Sequence, residues 1–91
     1  MSGSSNLEAI IDRDLGRLSS EYYSILDLAR EYDAPILAVA DRQDLRYIKN
    51  KLSELIVQIE YLPNGDHKEK VQREAAAVLE SVSHSLLHCN N

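Results

Sequence analysis

The sequence predicts an all-α fold, either an antiparallel three-helix bundle or a long helical hairpin plus a third helix, and dimerisation would complete either one. Three stretches repeat apolar residues at intervals of three and four. At about 100° per residue, each repeat forms one apolar stripe along a helix. Two segments that contain proline, around Pro35 and Pro63, separate the stretches, and a chain of 91 residues is long enough for one domain.

The first stripe predicts a helix over residues 6–32. Asn6 is a suitable N-cap, and residues 1–5 are small and polar, so we expect a disordered tail before it. Because tyrosine joins an apolar ring to a polar hydroxyl, we expect Tyr22 and Tyr32 at the edge of the stripe, with their hydroxyls in water. The members of this stripe are Ile11, Leu15, Leu18, Tyr22, Ile25, Ala29 and Tyr32.

The second stripe predicts a helix over residues 34–62, with Asp33 as its cap and Pro35 in its first turn. Extending the stripe backward places Asp41 on the buried side, which leaves two interpretations. A short helix over 34–40 is followed by a break, or one long, kinked helix carries a second apolar face; we favour the single helix. The members of this stripe are Leu45, Ile48, Leu52, Leu55, Ile59 and Leu62.

The third stripe predicts a helix over residues 66–88, and the whole of 6–89 reads as a single helical domain. Pro63 ends the preceding helix, and Asn64-Gly65 supplies positive φ. Asp66 is then the N-cap, with Glu69 three residues later as in a capping box. The members of this stripe are Val71, Ala75, Val78, Val82, Leu86 and Cys89.

The charge and composition restrict the compartment and the partners. The net charge is −5, which makes nucleic acid an unlikely partner because the phosphate backbone is itself negative. The longest apolar runs fall far short of the roughly 18 residues of a membrane span, so we expect no membrane association. One cysteine and the lack of a secretory leader favour the cytoplasm. The basic residues Arg42, Arg46 and Lys49 share one face, which we expect to lie against the acidic first helix.

No residue pattern indicates catalysis or a cofactor, so we predict a protein that is not an enzyme and holds no metal. His84 and His88 are four residues apart beside Cys89, but no second cluster completes a zinc site. Val82-Ser83-His84 resembles the start of the phospho-accepting box of sensor histidine kinases, although Ser85 stands where that family has an acidic residue. A small regulatory bundle that uses His84 and His88 for metal binding or phosphotransfer is therefore the alternative function.

The preferred function is a protein–protein interaction module that acts through its helical faces, as an adaptor, chaperone, inhibitor or assembly subunit. A small bundle with long apolar stripes favours association with itself, as a homodimer, or with another protein. Apolar residues that lie off the stripes are the candidates for partner binding, and they are Tyr23, Ile36, Val39, Tyr47 and Leu87.

Overall fold

The protein is an all-α bundle, as the sequence predicts. The computed structural model describes the backbone of residues 3–88 and the side chains of residues 6–87. Its helices are α1 (Gly3–Glu31), α2 (Ile36–Val39), α3 (Arg42–Ile59) and α4 (Asp66–His88), and that part of the chain contains no strand. The long helices α1, α3 and α4 alternate in direction, so α1 and α4 run parallel, with α3 antiparallel to both.

The core forms where the three apolar stripes meet, and every residue of the central cluster belongs to a predicted stripe. All six members of the second stripe are buried, whereas Ile25 and Leu86 are only partly covered, and Tyr32 is 67% exposed. Tyr32 lies beyond the end of α1, so the helical spacing no longer directs its side chain inward. The cluster consists of Ile11, Leu15, Leu18, Tyr22, Leu45, Ile48, Leu52, Leu55, Ile59, Leu62, Val71, Ala75, Val78 and Val82.

Helix α1 differs from the prediction at both ends. It begins at Gly3, so three residues of the expected tail, 3–5, are helical; Met1 and Ser2 lie outside the described residues. At the other end, Asp33 has a φ of 50°, and its N–H donates to the carbonyl of Arg30 at 3.2 Å. The N–H of Ala34 donates to the carbonyl of Ala29 at 2.9 Å, which completes a Schellman motif. We had expected Asp33 to cap the next helix, but it closes α1 instead.

The preference for one long second helix is wrong, because the chain breaks between α2 and α3. Ala40 and Asp41 are both extended, with ψ of 146° and 151°. The single turn of α2 packs Ile36 and Leu37 against the core. A continuous helix would have placed Asp41 on the buried stripe, and the break leaves that carboxylate exposed at the N-cap position of α3.

The connection from α3 to α4 needs no left-handed residue, contrary to the expectation for Asn64-Gly65. Neither residue has positive φ. The backbone carbonyl of Gly65 accepts the N–H of Glu69 at 3.1 Å, so Gly65 holds the N-cap position and Asp66 is the first helical residue. The Lys68 ammonium stabilises the turn by donating to the carbonyl of Glu60 at 3.1 Å and to Asn64 Oδ1 at 3.2 Å.

Polar side chains join α1 to α4. We had expected Tyr22 at the edge of the stripe, but its side chain is only 1% exposed. Its hydroxyl forms hydrogen bonds with Ser81 Oγ at 2.7 Å and Ser85 Oγ at 3.1 Å. Nearer the start of both helices, His67 Nε2 donates to the carboxylate of Asp12 at 2.9 Å. Tyr22 can therefore be buried because two serines of α4 satisfy its hydroxyl.

Candidate protein-binding surface

The five candidate partner-binding residues do not form one surface. Tyr47 belongs to α3, on the side that faces α1, and its side chain is 56% exposed. Ile36 packs against the core from α2, and Val39 is half-buried on the same short helix. Tyr23 and Leu87 are exposed on α1 and α4. Because the break separates α2 from α3, Ile36 and Val39 do not continue the face that carries Tyr47.

A groove runs between α1 and α3 in the described part of the chain, and we call it the α1–α3 groove. Tyr47 divides it into two halves. The lower half is an open depression of about 280 Å³, lined by Asp14, Arg17, Leu18, Tyr47, Lys51, Glu54, Leu55 and Gln58. The upper half is lined by Glu21, Ser24, Ile25, Asp44, Tyr47 and Ile48.

The floor and the rim of this groove differ in chemistry because both helices are amphipathic. Leu18, Leu55 and Ile48 belong to the core and lie beneath the groove, where each is at most 6% exposed. The rim is formed by their exposed neighbours on each helix, most of which are polar or charged. A partner that enters the groove would therefore meet the exposed ring of Tyr47 with charged groups on either side.

Charge is distributed unequally along the rim. In the lower half, the ammonium of Lys51 lies 3.7 Å from the carboxylate of Glu54 and 5.7 Å from the centre of the Tyr47 ring. The upper half is lined by two carboxylates, Glu21 and Asp44, and by no basic side chain. The upper half is thus acidic, while the lower half is mixed.

Exposed apolar side chains concentrate on the two helices that form the groove. Ile10 and Leu28 are 41% and 42% exposed, and they are separated by five helical turns, so they point the same way from α1. Glu21, which lines the groove, lies within about 20° of that direction. Of the exposed large apolar residues, α4 carries only Leu87, and the others are Ile10, Tyr23, Leu28, Tyr32, Tyr47, Val57 and Tyr61.

Sequence reasoning identified Tyr47 but missed Ile10 and Leu28. Both were overlooked because each stripe was considered one helix at a time, whereas the groove is formed by two helices together. Their separation of five turns was the available signal. Tyr23, in contrast, lies about 160° around α1 from Glu21, against the ring of Tyr22 and away from the groove.

Arg46 and Lys49 do not line the groove, although we had expected the basic face that they form with Arg42 to lie against α1. The edge of α3 that lines the groove carries Asp44, Lys51 and Glu54. Arg46 and Lys49 are exposed, and in the described part of the chain neither makes an ion pair with α1. The predicted pairing is absent because the edge of α3 that faces α1 lies on the opposite side of its apolar stripe from Arg46 and Lys49.

The histidine site of the alternative function falls partly outside the described side chains. His84 is exposed on α4, and the side chains of His88 and Cys89 are not described. Within residues 6–87, no three histidine, cysteine or acidic side chains converge on a point that could hold a metal ion.

Comparison with known proteins gives no relative. No family model, no curated protein and no solved structure matches this chain. Over residues 3–88, none of the helices is sufficiently long and apolar to cross a bilayer.

Proposed function

We propose that this protein is a non-enzymatic protein–protein interaction module, of the adaptor, chaperone, inhibitor or assembly-subunit kind, and that the α1–α3 groove is its binding surface. The observation that carries the proposal is the position of Tyr47, a half-exposed aromatic ring at the junction of both halves of the groove. Tyrosine is enriched among the residues that dominate binding energy at interfaces.

The architecture supports the same proposal. Three long helices leave an open groove between α1 and α3, and a fourth helix packed there would complete a four-helix bundle. Ile10 and Leu28 would extend the contact along α1 beyond Tyr47. The predicted homodimer would use the same groove on two copies, so the oligomeric state of the purified chain belongs to the same test.

The experiment is affinity capture from an extract of the organism that encodes the protein, with three baits: the natural chain, Tyr47→Arg and Tyr23→Arg. Both tyrosines are about half exposed, at 56% and 51%, so neither substitution disturbs the core. We expect a protein that the natural chain and Tyr23→Arg retain and that Tyr47→Arg loses by about tenfold or more. Mass spectrometry identifies the protein, and circular dichroism confirms that each bait is folded.

Three results would contradict the proposal. If all three baits retain the protein equally, or if none retains a protein better than an unrelated acidic bundle does, the groove does not bind a protein. Loss with Tyr23→Arg alone means that the binding surface is on the other side of α1. Sedimentation velocity on the purified chain shows in addition whether the retained protein is a second copy.

A further inference from the structure

We infer that the occupant of the α1–α3 groove is one amphipathic helix of about four turns, from a partner protein, with basic residues beside its apolar stripe. This inference rests on the proposed function and specifies the chemistry of the partner. It is carried by the length of the groove, the exposed apolar side chains of Tyr47, Ile10 and Leu28, and the excess of carboxylates on its rim.

The length of the groove fits a helix. On α3 the groove extends from Asp44 to Gln58, fifteen residues that span about 21 Å. A fourth helix of about four turns covers that distance, and its apolar stripe would meet the exposed side chains of Tyr47, Ile10 and Leu28. An extended peptide is less suitable because the groove offers it no strand edge with which its backbone groups could pair.

The charge of the rim selects a basic helix. Six charged side chains line the groove, four of them acidic: Asp14, Glu21, Asp44, Glu54, Arg17 and Lys51. One of the two bases is already close to a carboxylate, since Lys51 lies 3.7 Å from Glu54. Lysine or arginine side chains on the occupant would therefore meet Glu21 and Asp44 in the upper half, where the groove supplies no base.

The same charge argues against a second copy. A two-fold symmetric contact places each surface against itself, so two acid-rich rims would face one another. The chain as a whole carries a net charge of −5, which adds a general repulsion between copies. A basic partner gains from both terms, whereas a second copy is opposed by both.

The test uses two synthetic helical peptides of about four turns with the same leucine stripe, one with lysine and one with glutamate on its flanks. Each carries a fluorescent label, and its anisotropy is measured against the full chain at two salt concentrations. We expect the lysine peptide to bind and to weaken with added salt, and the glutamate peptide to bind at least about tenfold more weakly.

Charge reversal at the groove locates the binding. The double variant Glu21→Lys with Asp44→Lys should bind the lysine peptide about tenfold or more weakly than the natural chain does. The matched control is Glu74→Lys with Glu80→Lys on exposed positions of α4, which do not line the groove. Both double variants change the net charge from −5 to −1, so they reduce general attraction equally. The neutral pair Glu21→Gln with Asp44→Asn keeps side-chain size and should give a smaller loss.

Several outcomes would overturn the inference. If the control pair weakens binding of the lysine peptide as much as the groove pair does, the attraction is general and does not come from the groove. If the glutamate peptide binds as tightly as the lysine peptide, the rim does not select charge. A dimer that Tyr47→Arg abolishes means that a second copy occupies the groove. If neither peptide binds while capture of a native protein still depends on Tyr47, this inference fails and the proposed function stands; if capture fails too, both fall.

Discussion

The buried hydroxyl of Tyr22 gives a sharp test of how α1 is attached to α4. We predict that Tyr22→Phe lowers the free energy of unfolding by about 1 kcal/mol. The hydroxyl forms two hydrogen bonds, at 2.7 Å and 3.1 Å, with Ser81 and Ser85. Two neutral bonds would suggest a larger loss, but Ser81 is exposed and Ser85 is half-buried, so water can satisfy both after the change.

Removing the whole ring is a different perturbation. Tyr22→Ala deletes a side chain that is 1% exposed and leaves a cavity, which costs about 3–5 kcal/mol. Small domains have about 5–15 kcal/mol of total stability, so this variant should be close to unfolded at room temperature or unfolded outright. The contrast between Phe and Ala separates the contribution of the hydroxyl from that of the ring.

The assay is urea unfolding followed by circular dichroism, with thermal melting as a second measure. For a domain of this size, 1 kcal/mol corresponds to roughly 4–8 °C in the melting midpoint. A double-mutant cycle of Tyr22→Phe and Ser81→Ala should give a coupling energy of about 0.5–1 kcal/mol. A neutral Tyr22→Phe with zero coupling would refute the reasoning, because the hydroxyl would then reach water, as it would at the edge of the stripe.

Four further changes test single features of the fold by the same unfolding measurements. Ser19→Ala should stabilise the protein by about 1 kcal/mol, because the Ser19 hydroxyl is buried without a hydrogen-bond partner; a loss of stability would mean that it has one. Gly16→Ala should add about 1 kcal/mol, since an added Cβ meets no atom within 4 Å; no gain would indicate that α1 frays there. Asp33→Gly should add about 0.5 kcal/mol by relieving a φ of 50°, and Asp33→Val should do the opposite. Ala75→Leu should cost about 1–3 kcal/mol because Ala75 is fully buried, whereas the control Ala76→Leu, on the exposed side of α4, should be close to neutral; equal effects would contradict the assigned helix face.

The central core was predictable from the sequence because burial on a helix repeats with the helical period. Residues such as Leu45, Leu52 and Ile59 follow that period without interruption, and the structure buries all of them. The break at Asp41 was not predictable with the same certainty. It depends on whether a single turn around Ile36 can pack against the core, which is a tertiary contact that no local spacing specifies.

Polar contacts were the least predictable part of the fold. Tyr22 follows the apolar spacing, but its hydroxyl suggested a position at the edge of the stripe. The two serines that satisfy this hydroxyl are 59 and 63 residues away in the chain. No local pattern connects residues at such a distance. The candidate site has the same difficulty, since off-stripe spacing identified Tyr47 on one helix, whereas the groove depends on how two helices are placed side by side.

The polar contacts of α1 with α4 matter for the groove because they set the position of α1. Apolar contacts have no direction, so a stripe of aliphatic residues can shift by one turn, about 5.4 Å, and still face the core. The hydrogen bonds of Asp12 with His67 and of Tyr22 with Ser81 cannot survive such a shift, since they require distances near 3 Å. These two contacts lie ten residues apart on α1, about 15 Å, and both favour the observed height of α1 beside α4.

The exposed pair of Asp12 and His67 therefore has more consequence for geometry than for stability. A hydrogen bond between side chains that are 54% and 37% exposed contributes less than about 1 kcal/mol. Its geometric effect extends across α1, because the rotation that places Asp12 against α4 also places Glu21 on the opposite edge, facing α3. The position of a carboxylate in the groove is thus set by polar contacts on the far side of the same helix, and any shift of α1 would change which side chains stand opposite Tyr47.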